Sequence, residues 1–283
     1  MTLPPDDWPQ RAHSRAVRVG PIDWHVQVAG RGPVLLLLHG SGASAHSWAG
    51  LLPALAAHAT VVAPDLPGHG FTTGAPYDAL TLPRLRDSLA DLVAALALPA
   101  PALVAGHSAG AALALRWALD APEPPRAVLG FAPSLVPPPA QYGQWLAPLV
   151  TPIATSALVT NLLARVAGPT GMIDGLLAST GSTLPPAQRA AYRRLFADPA
   201  HVRGAMSFMA AADLPALLPA CTALACPATF VIGERDHWIP ERTLRPVIER
   251  HLPAATVERW PGGHLLHEED PARAAARVLA ALG

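Results

Sequence analysis

Short apolar runs and longer stretches with helical spacing alternate along much of the chain. Val34–Leu38 is apolar at every position, which is typical of a strand buried on both faces of a parallel sheet. Further strands are predicted at Thr60–Pro64, Ala102–Ala105, Arg126–Phe131, Pro227–Gly233 and Ala255–Trp260, and helices at Ala45–Ala57, Leu82–Leu96, Ala109–Leu119, Arg242–His251 and Pro271–Leu282. This order predicts an α/β fold with a mostly parallel, doubly wound sheet.

Two shorter strand-like runs precede the first buried strand, after an irregular leader over residues 1–14. They are Val17–Val19 and Ile22–Val28, on either side of Gly20 and Pro21. Because apolar and polar residues alternate in the second run, we expect an antiparallel hairpin with one face exposed.

The alternation of strand and helix stops between residues 133 and 219. Apolar patches with helical spacing continue there, broken by prolines and glycines, but no buried strand is evident. We therefore expect a core built from residues 1–132 and 220–283, with residues 133–219 forming a helical lid over the carboxyl edge of the sheet.

One stretch of this insertion is long and uncharged enough to be compared with a membrane span. Leu146–Ala164 has no charged residue over 19 positions, which is near the minimum length for a transmembrane helix. Two prolines and several hydroxyl or amide side chains interrupt it, and Arg165 follows directly. The pattern favours an apolar lid that lines a pocket, with transient contact to a membrane surface as the lesser alternative.

Composition narrows the choice of partners and compartments. The chain has 20 basic and 20 acidic residues and no basic block, so nucleic acid is not an expected partner. Cys221 and Cys226 are too few for a disulfide framework or a four-ligand zinc site, and H-E-x-x-H spacing is absent. We expect no metal or cofactor. The first ten residues lack the pattern of a signal peptide, so we expect a cytoplasmic protein, peripheral to the membrane at most.

The pentapeptide Gly106-His107-Ser108-Ala109-Gly110 is the first candidate for chemistry. It lies between a predicted strand and a predicted helix, which is the context of a nucleophile elbow. The turn projects the serine hydroxyl, and the two glycines remove side chains that would collide there. Ser108 is the predicted nucleophile, although a serine at this place could also simply begin a helix.

A serine hydroxyl needs a base, and the base needs a carboxylate that orients it. In open α/β sheets such groups lie just past the carboxyl ends of the strands. Asp236 follows one such end and His264 follows another. The order Ser108, Asp236, His264 is that of α/β hydrolases, so we assign attack to the serine, proton transfer to the histidine and its orientation to the aspartate.

Each assignment has a competitor. Glu234 lies nearer the strand end than Asp236, and His267 competes with His264 but stands where a helix begins, which favours a surface or capping role. His39 is expected to support its loop by hydrogen bonding, and Asp65 to fix the turn that follows it.

Two backbone amides should form an oxyanion hole. One is the N–H of Ala109, at a helix N-terminus where unpaired donors and the helix dipole favour negative charge. The other is expected from the loop His39–Ser44, at Ser41 or Gly42.

Five motifs, spread over nearly the whole chain outside the insertion, resemble those of the α/β-hydrolase superfamily. They are His39-Gly40, Asp65-Leu66-Pro67-Gly68-His69-Gly70, Gly106-His107-Ser108-Ala109-Gly110, Gly233-Glu234-Arg235-Asp236 and Gly263-His264. The resemblance implies an α/β-hydrolase fold with a Ser-His-Asp triad.

Other stretches resemble the accessory proteins of magnesium chelatase in bacteriochlorophyll biosynthesis. They are Asp7–Pro9, Arg11–Ser14, Trp24–Gln27, Gly42–Ser44 with His46–Trp48, Gly106–Ala112 and, in the insertion, Asp198–Ala205. This resemblance implies a role near magnesium insertion into protoporphyrin, with a tetrapyrrole or magnesium chelatase subunits as partners. The chain has no G-x-x-x-x-G-K-[ST] loop, which excludes the ATP-driven motor subunit.

Three functions stay open on this basis. The first is a serine hydrolase that acts on an apolar small-molecule ester through an acyl-enzyme, and the second is a binding protein that holds a tetrapyrrole or a partner while the triad is idle. The third is a cofactor-free haloperoxidase-like or C–C bond hydrolase. If the lid binds a tetrapyrrole, lid arginines could pair with its carboxylate arms, the candidates being Arg165, Arg189, Arg193, Arg194 and Arg203.

Overall fold

One mixed sheet organises the computed structural model, which describes residues 3–136, 153–167 and 171–283. In these residues eight strands pair in the order β1-β2-β4-β3-β5-β6-β7-β8. Their bounds are β1 Ser14–Val19, β2 Ile22–Ala29, β3 Val34–Leu38, β4 Thr60–Pro64, β5 Leu103–His107, β6 Ala127–Phe131, β7 Ala228–Gly233 and β8 Thr256–Trp260. β1 and β2 pair antiparallel, as do β2 and β4, and the remaining pairs are parallel. The predicted fold class is confirmed.

Helices cover both faces of this sheet. In the described residues they are α1 Leu52–Ala56, α2 Leu82–Ala95, α3 Ala109–Asp120, α4 Ala157–Ala167, α5 Met172–Ser179, α6 Pro186–Phe196, α7 Pro199–Ala211, α8 Leu214–Ala220, α9 Glu241–His251, α10 Leu266–Glu269 and α11 Pro271–Leu282. The helix predicted over Ala45–Ala57 is wrong in its first part, because Ala45–Trp48 forms a 3-10 turn before α1 begins.

Alternate side chains of β3 explain its unbroken apolar run. Leu36 and Leu38 belong to the core under α2, α3 and α9, whereas Leu35 and Leu37 belong to the core under α1 and α11. All four side chains are fully buried. A strand with a core on each face needs apolar residues at every position, because neither pleat faces water.

The N-terminal hairpin forms as predicted, but the expectation of an exposed face on β2 is wrong. His25 and Gln27, two of the three polar residues of the alternating pattern, are fully buried, and the third, Asp23, is partly buried. The amide of Gln27 donates to the carbonyl of Pro9 at 2.6 Å, and Trp8 in the same leader is buried. The leader therefore covers the face of β2 that the sequence pattern assigns to water.

Asp65, at the end of β4, is the buried acceptor for three separate segments. Its carboxylate accepts from the N–H of Ala45 at 2.7 Å and of Phe71 at 2.8 Å, and lies 2.8 Å from His25 Nδ1. The other ring nitrogen of His25 lies 2.9 Å from Ser14 Oγ. Burial opposes ionisation, but His25 and the backbone donors outweigh it and lower the pKa of Asp65. Asp65 therefore fixes the turn after β4, as predicted, and also the hairpin.

Between β6 and β7 the described residues form helices α4 to α8 and no strand. The uncharged stretch Leu146–Ala164 lies partly outside the described residues, and its described end contributes to α4, which has 11 residues. Among the described residues no single helix is long and apolar enough to cross a membrane. One pair, Pro199–Ala211 with Leu214–Ala223, reaches that length and composition together, but it is bent by 54°.

Several histidines are buried around the carboxyl edge of the sheet. His267, expected at the surface, is fully buried against Trp48, Phe131 and His107, at ring distances of 4.7, 5.8 and 4.4 Å. Neither of its ring nitrogens has a hydrogen-bond partner within the described ranges. Burial lowers the pKa of His267 to about 3. The ring is therefore neutral at physiological pH and packs as an aromatic side chain.

We expect Asp65→Ala to lower the free energy of unfolding by about 3 kcal/mol or more, because the buried N–H groups of Ala45 and Phe71 lose their acceptor. Urea unfolding measures this change. Asp78→Ala, at an exposed acid, is the control and should change it by less than about 0.5 kcal/mol. A loss below about 1 kcal/mol in Asp65→Ala would contradict the role given to this carboxylate.

His267→Phe should make the protein less sensitive to acid. Between the unfolded pKa of about 6.5 and the folded value of about 3, the folded state binds fewer protons than the unfolded state, so stability falls as the pH falls. This residue alone contributes about 1.4 kcal/mol per pH unit. In urea unfolding, the difference in stability between pH 7 and pH 5 should therefore shrink by about 2 kcal/mol. His58→Gln, at an exposed histidine, is the control. If the difference in stability between pH 7 and pH 5 is the same in His267→Phe as in this control, the buried neutral state given to His267 is contradicted.

Candidate active site

Ser108 lies at the turn between β5 and α3 in a strained backbone conformation. Its φ is 51° and its ψ is −118°, values that a residue with a side chain rarely adopts and that cost about 1–3 kcal/mol. Hydrogen bonds hold it there: its N–H donates to Phe131 O at 3.0 Å, and its carbonyl accepts from Ala111 N at 3.0 Å. The turn matches the predicted nucleophile elbow.

The two glycines of the elbow permit close backbone approach. A Cβ at Gly106 would lie 2.2 Å from the carbonyl oxygen of Gly110, and a Cβ at Gly110 would lie 2.2 Å from that of Leu38. Because both neighbours are backbone atoms, a side chain at either position would displace α3 from the sheet.

The structure brings the side chains of Ser108, His264 and Asp236 together. His264 Nε2 lies 2.9 Å from Ser108 Oγ, and His264 Nδ1 lies 2.8 Å from Asp236 Oδ2. The other oxygen of Asp236 accepts from the N–H groups of Trp238 and Ile239 at 2.9 and 2.8 Å. The carboxylate therefore takes the proton-bearing Nδ1 as its donor, which leaves Nε2 free to accept the serine proton.

Glu234, the alternative acid, does not approach this group. Its side chain is 43% exposed and its Oε1 lies 3.8 Å from Arg259 Nε. The alternative base, His267, is buried behind His107, away from the serine hydroxyl that His264 contacts.

The loop that carries His264 is fixed from two sides. His107 Nε2 donates to the carbonyl of His264 at 2.9 Å from the core. From the insertion, the carbonyl of Thr180 accepts from His264 N at 3.0 Å, and Ser182 Oγ accepts from Leu265 N at 2.8 Å. Burial lowers the pKa of His107 well below its usual value, so this ring stays neutral beside the triad.

The oxyanion loop, which we define as His39–Ser44, contains a tight turn. Ala43 N donates to Gly40 O at 3.1 Å, and the φ of +78° at Gly42 is the value that a type II turn requires at its third residue. The hydrogen bond that closes this turn, from Ala43 N to Gly40 O, involves neither the N–H of Ser41 nor that of Gly42. His39 supports the loop as predicted, since its Nε2 accepts from Leu66 N at 2.8 Å and its Nδ1 donates to Gly40 O at 2.8 Å.

The other predicted donor, the N–H of Ala109, belongs to the first residue of α3. An N–H in the first turn of a helix has no acceptor within that helix. Ser41 and Gly42 line the same small cavity as Ser108.

This cavity has a volume of about 40 Å³, which is room for a few water molecules. Insertion residues and the loop after β7 form much of its wall. Its lining residues are Ser41, Gly42, Ala43, His107, Ser108, Leu176, Leu177, Thr180, Tyr192, Phe196, Trp238, His264 and Leu265. Leu176 and Trp238 are also 36% and 45% exposed, so they form an apolar rim between the cavity and solvent.

None of the predicted lid arginines lines this cavity within the described ranges. Arg193 binds the carboxylate of Asp174 at 2.8 and 3.0 Å, and Arg194 binds Asp7 at 2.9 Å. Arg203 donates to Thr155 O at 3.0 Å. These contacts do not support arginine pairing with a ligand above Ser108.

Sequence reasoning missed the aromatic wall of the cavity. Tyr192 and Phe196 are four residues apart on α6, so helical spacing alone places them on one face. Tyr192 donates its hydroxyl proton to Glu268 Oε1 at 2.6 Å. Burial raises the pKa of Glu268 to about 8 despite this bond, so the carboxyl group is mostly neutral at pH 7.

The sequence was compared with known families and proteins. The profile of the alpha/beta hydrolase family matches residues 35–278. The chain is 38% identical over 271 residues to the magnesium-chelatase 30 kDa subunit of Rhodobacter capsulatus, which covers 93% of this chain and 92% of that protein. It is 32% identical to the pimeloyl-[acyl-carrier protein] methyl ester esterase of Xanthomonas campestris pv. campestris, over 91% of this chain and 99% of the esterase.

Among solved structures, a putative alpha/beta hydrolase from Nostoc sp. PCC 7120 superposes with a TM-score of 0.78 at 23% identity, over 95% of this chain and 97% of that one. At this identity the likeness concerns the fold alone. Together with the family match, it leads to one conclusion: the chain belongs to the α/β-hydrolase family.

Proposed function

We propose that this protein is a serine hydrolase that transfers an acyl group from an ester to water. The observation that carries the proposal is the chain of contacts from Ser108 Oγ to His264 Nε2, and from His264 Nδ1 to Asp236, at 2.9 and 2.8 Å. Ser108 attacks the carbonyl carbon while His264 takes its proton and then passes it to the leaving alcohol. Water, activated by the same histidine, releases the acid and restores the serine.

The negative charge of the tetrahedral intermediate needs donors that are already in position. In our proposal these are the N–H of Ala109 and an N–H of Ser41 or Gly42. The wall of the cavity around them is largely apolar, which strengthens their interaction with the developing charge.

The wall of the cavity supports an apolar acyl group as substrate. Leu176, Phe196 and Trp238 are the large side chains on the open side, and none carries a charge. Because about 40 Å³ is well below the roughly 300 Å³ of a typical ligand pocket, the cavity has to widen before a substrate enters, through its rim side chains or the insertion.

The biological role we propose is that of an accessory factor for magnesium chelatase in bacteriochlorophyll biosynthesis, in the cytoplasm or at the membrane surface. Its support is the similarity to the Rhodobacter capsulatus protein of that name over nearly the full length of both chains. Magnesium chelatase subunits are then the partners to test.

A second candidate is a protein that binds a tetrapyrrole or a partner without catalysis. Exposed apolar side chains on and beside α4 favour it, with Ile153 67% exposed, Leu158 80% and Leu162 62%. Such a cluster is typical of an interaction surface. The two candidates differ in whether the biological role needs the Ser108 hydroxyl.

A fluorophosphonate probe should label the wild-type protein on Ser108, because an activated serine attacks phosphorus with displacement of fluoride. Intact-mass spectrometry and peptide mapping would locate the adduct, and Ser108→Ala should remain unlabelled. The same variant, expressed in place of the native protein in a phototrophic host, should lose pigment synthesis. If the wild-type protein is not labelled and the host with Ser108→Ala keeps full pigment synthesis, the catalytic proposal is rejected in favour of the binding protein.

Asp236→Asn should lower kcat for a p-nitrophenyl ester by about 10³- to 10⁴-fold, because an amide stabilises the wrong tautomer of His264. The asparagine oxygen can still accept from Trp238 N and Ile239 N, so the fold should be retained. Glu234→Gln is the matched control at the other acid of the same loop, and kcat should stay within about twofold. A large loss in Glu234→Gln with little loss in Asp236→Asn would reverse the assignment of the acid.

A further inference from the structure

Helix α7, from the insertion, packs directly on the oxyanion loop and on the turn that follows β4. Gly204 allows this approach, because a Cβ there would lie 1.8 Å from the carbonyl oxygen of Gly68. Next to it, Ser41 Oγ donates to the carbonyl of Ala205 at 2.7 Å. The helix is therefore in contact with the loop that should supply an oxyanion donor.

His201 on this helix joins the two loops through its ring. The N–H of Gly70 donates to His201 Nδ1 at 3.0 Å, so Nδ1 is an acceptor and carries no proton. In a neutral imidazole the proton is then on Nε2, which lies 3.2 Å from the carbonyl oxygen of Gly42 and donates to it. The bond from Gly70 thus fixes the tautomer that holds Gly42.

The surroundings of the ring keep it neutral and in place. His201 is 1% exposed, and burial lowers its pKa to about 4. The rings of Phe196 and His69 pack against it, each with its centroid 5.5 Å away. At physiological pH the ring therefore keeps one acceptor and one donor, each with a backbone partner.

The core and the insertion hold different parts of the oxyanion loop. From the core, His39 bonds to Leu66 N and Gly40 O, and Asp65 accepts from Ala45 N. The middle of the loop, Ser41 and Gly42, bonds instead to α7, through Ala205 O and His201. The carbonyl of Gly42 belongs to the left-handed residue of the turn, so its direction is tied to the orientation of the turn.

We propose that His201 is a positioning residue of the oxyanion hole. By holding the Gly42 carbonyl, it sets the turn whose residues Ser41 and Gly42 line the cavity beside Ser108, and this turn should present an N–H group to the oxyanion. Because His201 belongs to the insertion, the oxyanion hole has its full geometry only when α7 packs on the loop. The catalytic part of this inference rests on the proposed serine hydrolase, whereas the link between α7 and the loop does not.

The consequence is a coupling between closure and chemistry. Phe196 of α6 lines the cavity and packs against His201, so a displacement of α6 and α7 that widens the cavity would also remove the hydrogen bond to Gly42, and closure over the bound ester would restore it. Such an arrangement makes the donors available after the substrate is enclosed, as in induced fit.

Two substitutions of His201 separate its two hydrogen bonds. The side-chain amide of His201→Asn reaches the position of Nδ1, so it can accept from Gly70 N but cannot reach Gly42. The longer amide of His201→Gln places a donor where Nε2 stands and can keep the bond to Gly42. Met209→Ala, at a 60% exposed position of the same helix, controls for general effects on α7.

The measurements are the second-order rate of fluorophosphonate labelling, kcat and KM for p-nitrophenyl butyrate, and hydrogen–deuterium exchange of peptides that contain residues 39–44. For His201→Asn we expect the labelling rate and kcat to fall about 10- to 100-fold with KM within about twofold, because the loss concerns the transition state. Exchange over residues 39–44 should be faster. In His201→Gln the labelling rate and kcat should be within about threefold of the wild-type values. Met209→Ala should match the wild type in labelling rate, kcat and exchange.

Two results would overturn the proposal. One is unchanged labelling and exchange in His201→Asn. The other is equal losses in the Asn and Gln variants together with equal losses in thermal stability, which would assign the ring to packing alone. If the wild-type protein neither labels nor hydrolyses the ester, the serine hydrolase is rejected. In that case, faster hydrogen–deuterium exchange over residues 39–44 in His201→Asn than in the wild type would still show that His201 holds the loop.

Discussion

The strained backbone of Ser108 is the constraint on which the rest of the site depends. In this structure β5 passes directly into α3, and the residue between them, Ser108, projects its side chain at this edge in an unfavourable backbone conformation. The sheet compensates for the cost through the bond from Ser108 N to Phe131 O and through the close packing that Gly106 and Gly110 permit. The serine hydroxyl then lies within reach of a histidine that follows β8, beside an acid that follows β7.

The elements around this turn could be predicted because their signals are local. Unbroken apolar runs mark strands with a core on each face, and the rule that functional groups follow strand ends selects Asp236 and His264 from many acids and histidines. Exposure could not be predicted in the same way. The alternation of apolar and polar residues in β2 suggests a solvent-exposed face, but the burial of His25 depends on Asp65, a partner 40 residues away. The burial of His267 likewise depends on packing that no local pattern encodes.

The insertion shows the limit of composition as evidence. Its prolines, glycines and apolar patches correctly indicate helices without a buried strand in the described part. They do not indicate which side chains face the serine, because that depends on how the helices pack on the core. Arg193, Arg194 and Arg203, expected to bind carboxylates of a ligand, bind acids or a backbone carbonyl of the protein instead. The wall of the cavity includes Tyr192 and Phe196.

The insertion also bonds to two loops of the proposed active site, the loop that carries His264 and the oxyanion loop. It holds the histidine loop through Thr180 O and Ser182 Oγ, and the oxyanion loop through Ala205 O and His201. A cavity of about 40 Å³ has to widen before a substrate enters, and a widening that displaces the insertion would break its bonds to these loops. In the serine hydrolase that we propose, closing the insertion over the substrate and orienting the groups around Ser108 would then be one conformational step, and changes in the insertion should alter the reactivity of Ser108 without contacting it.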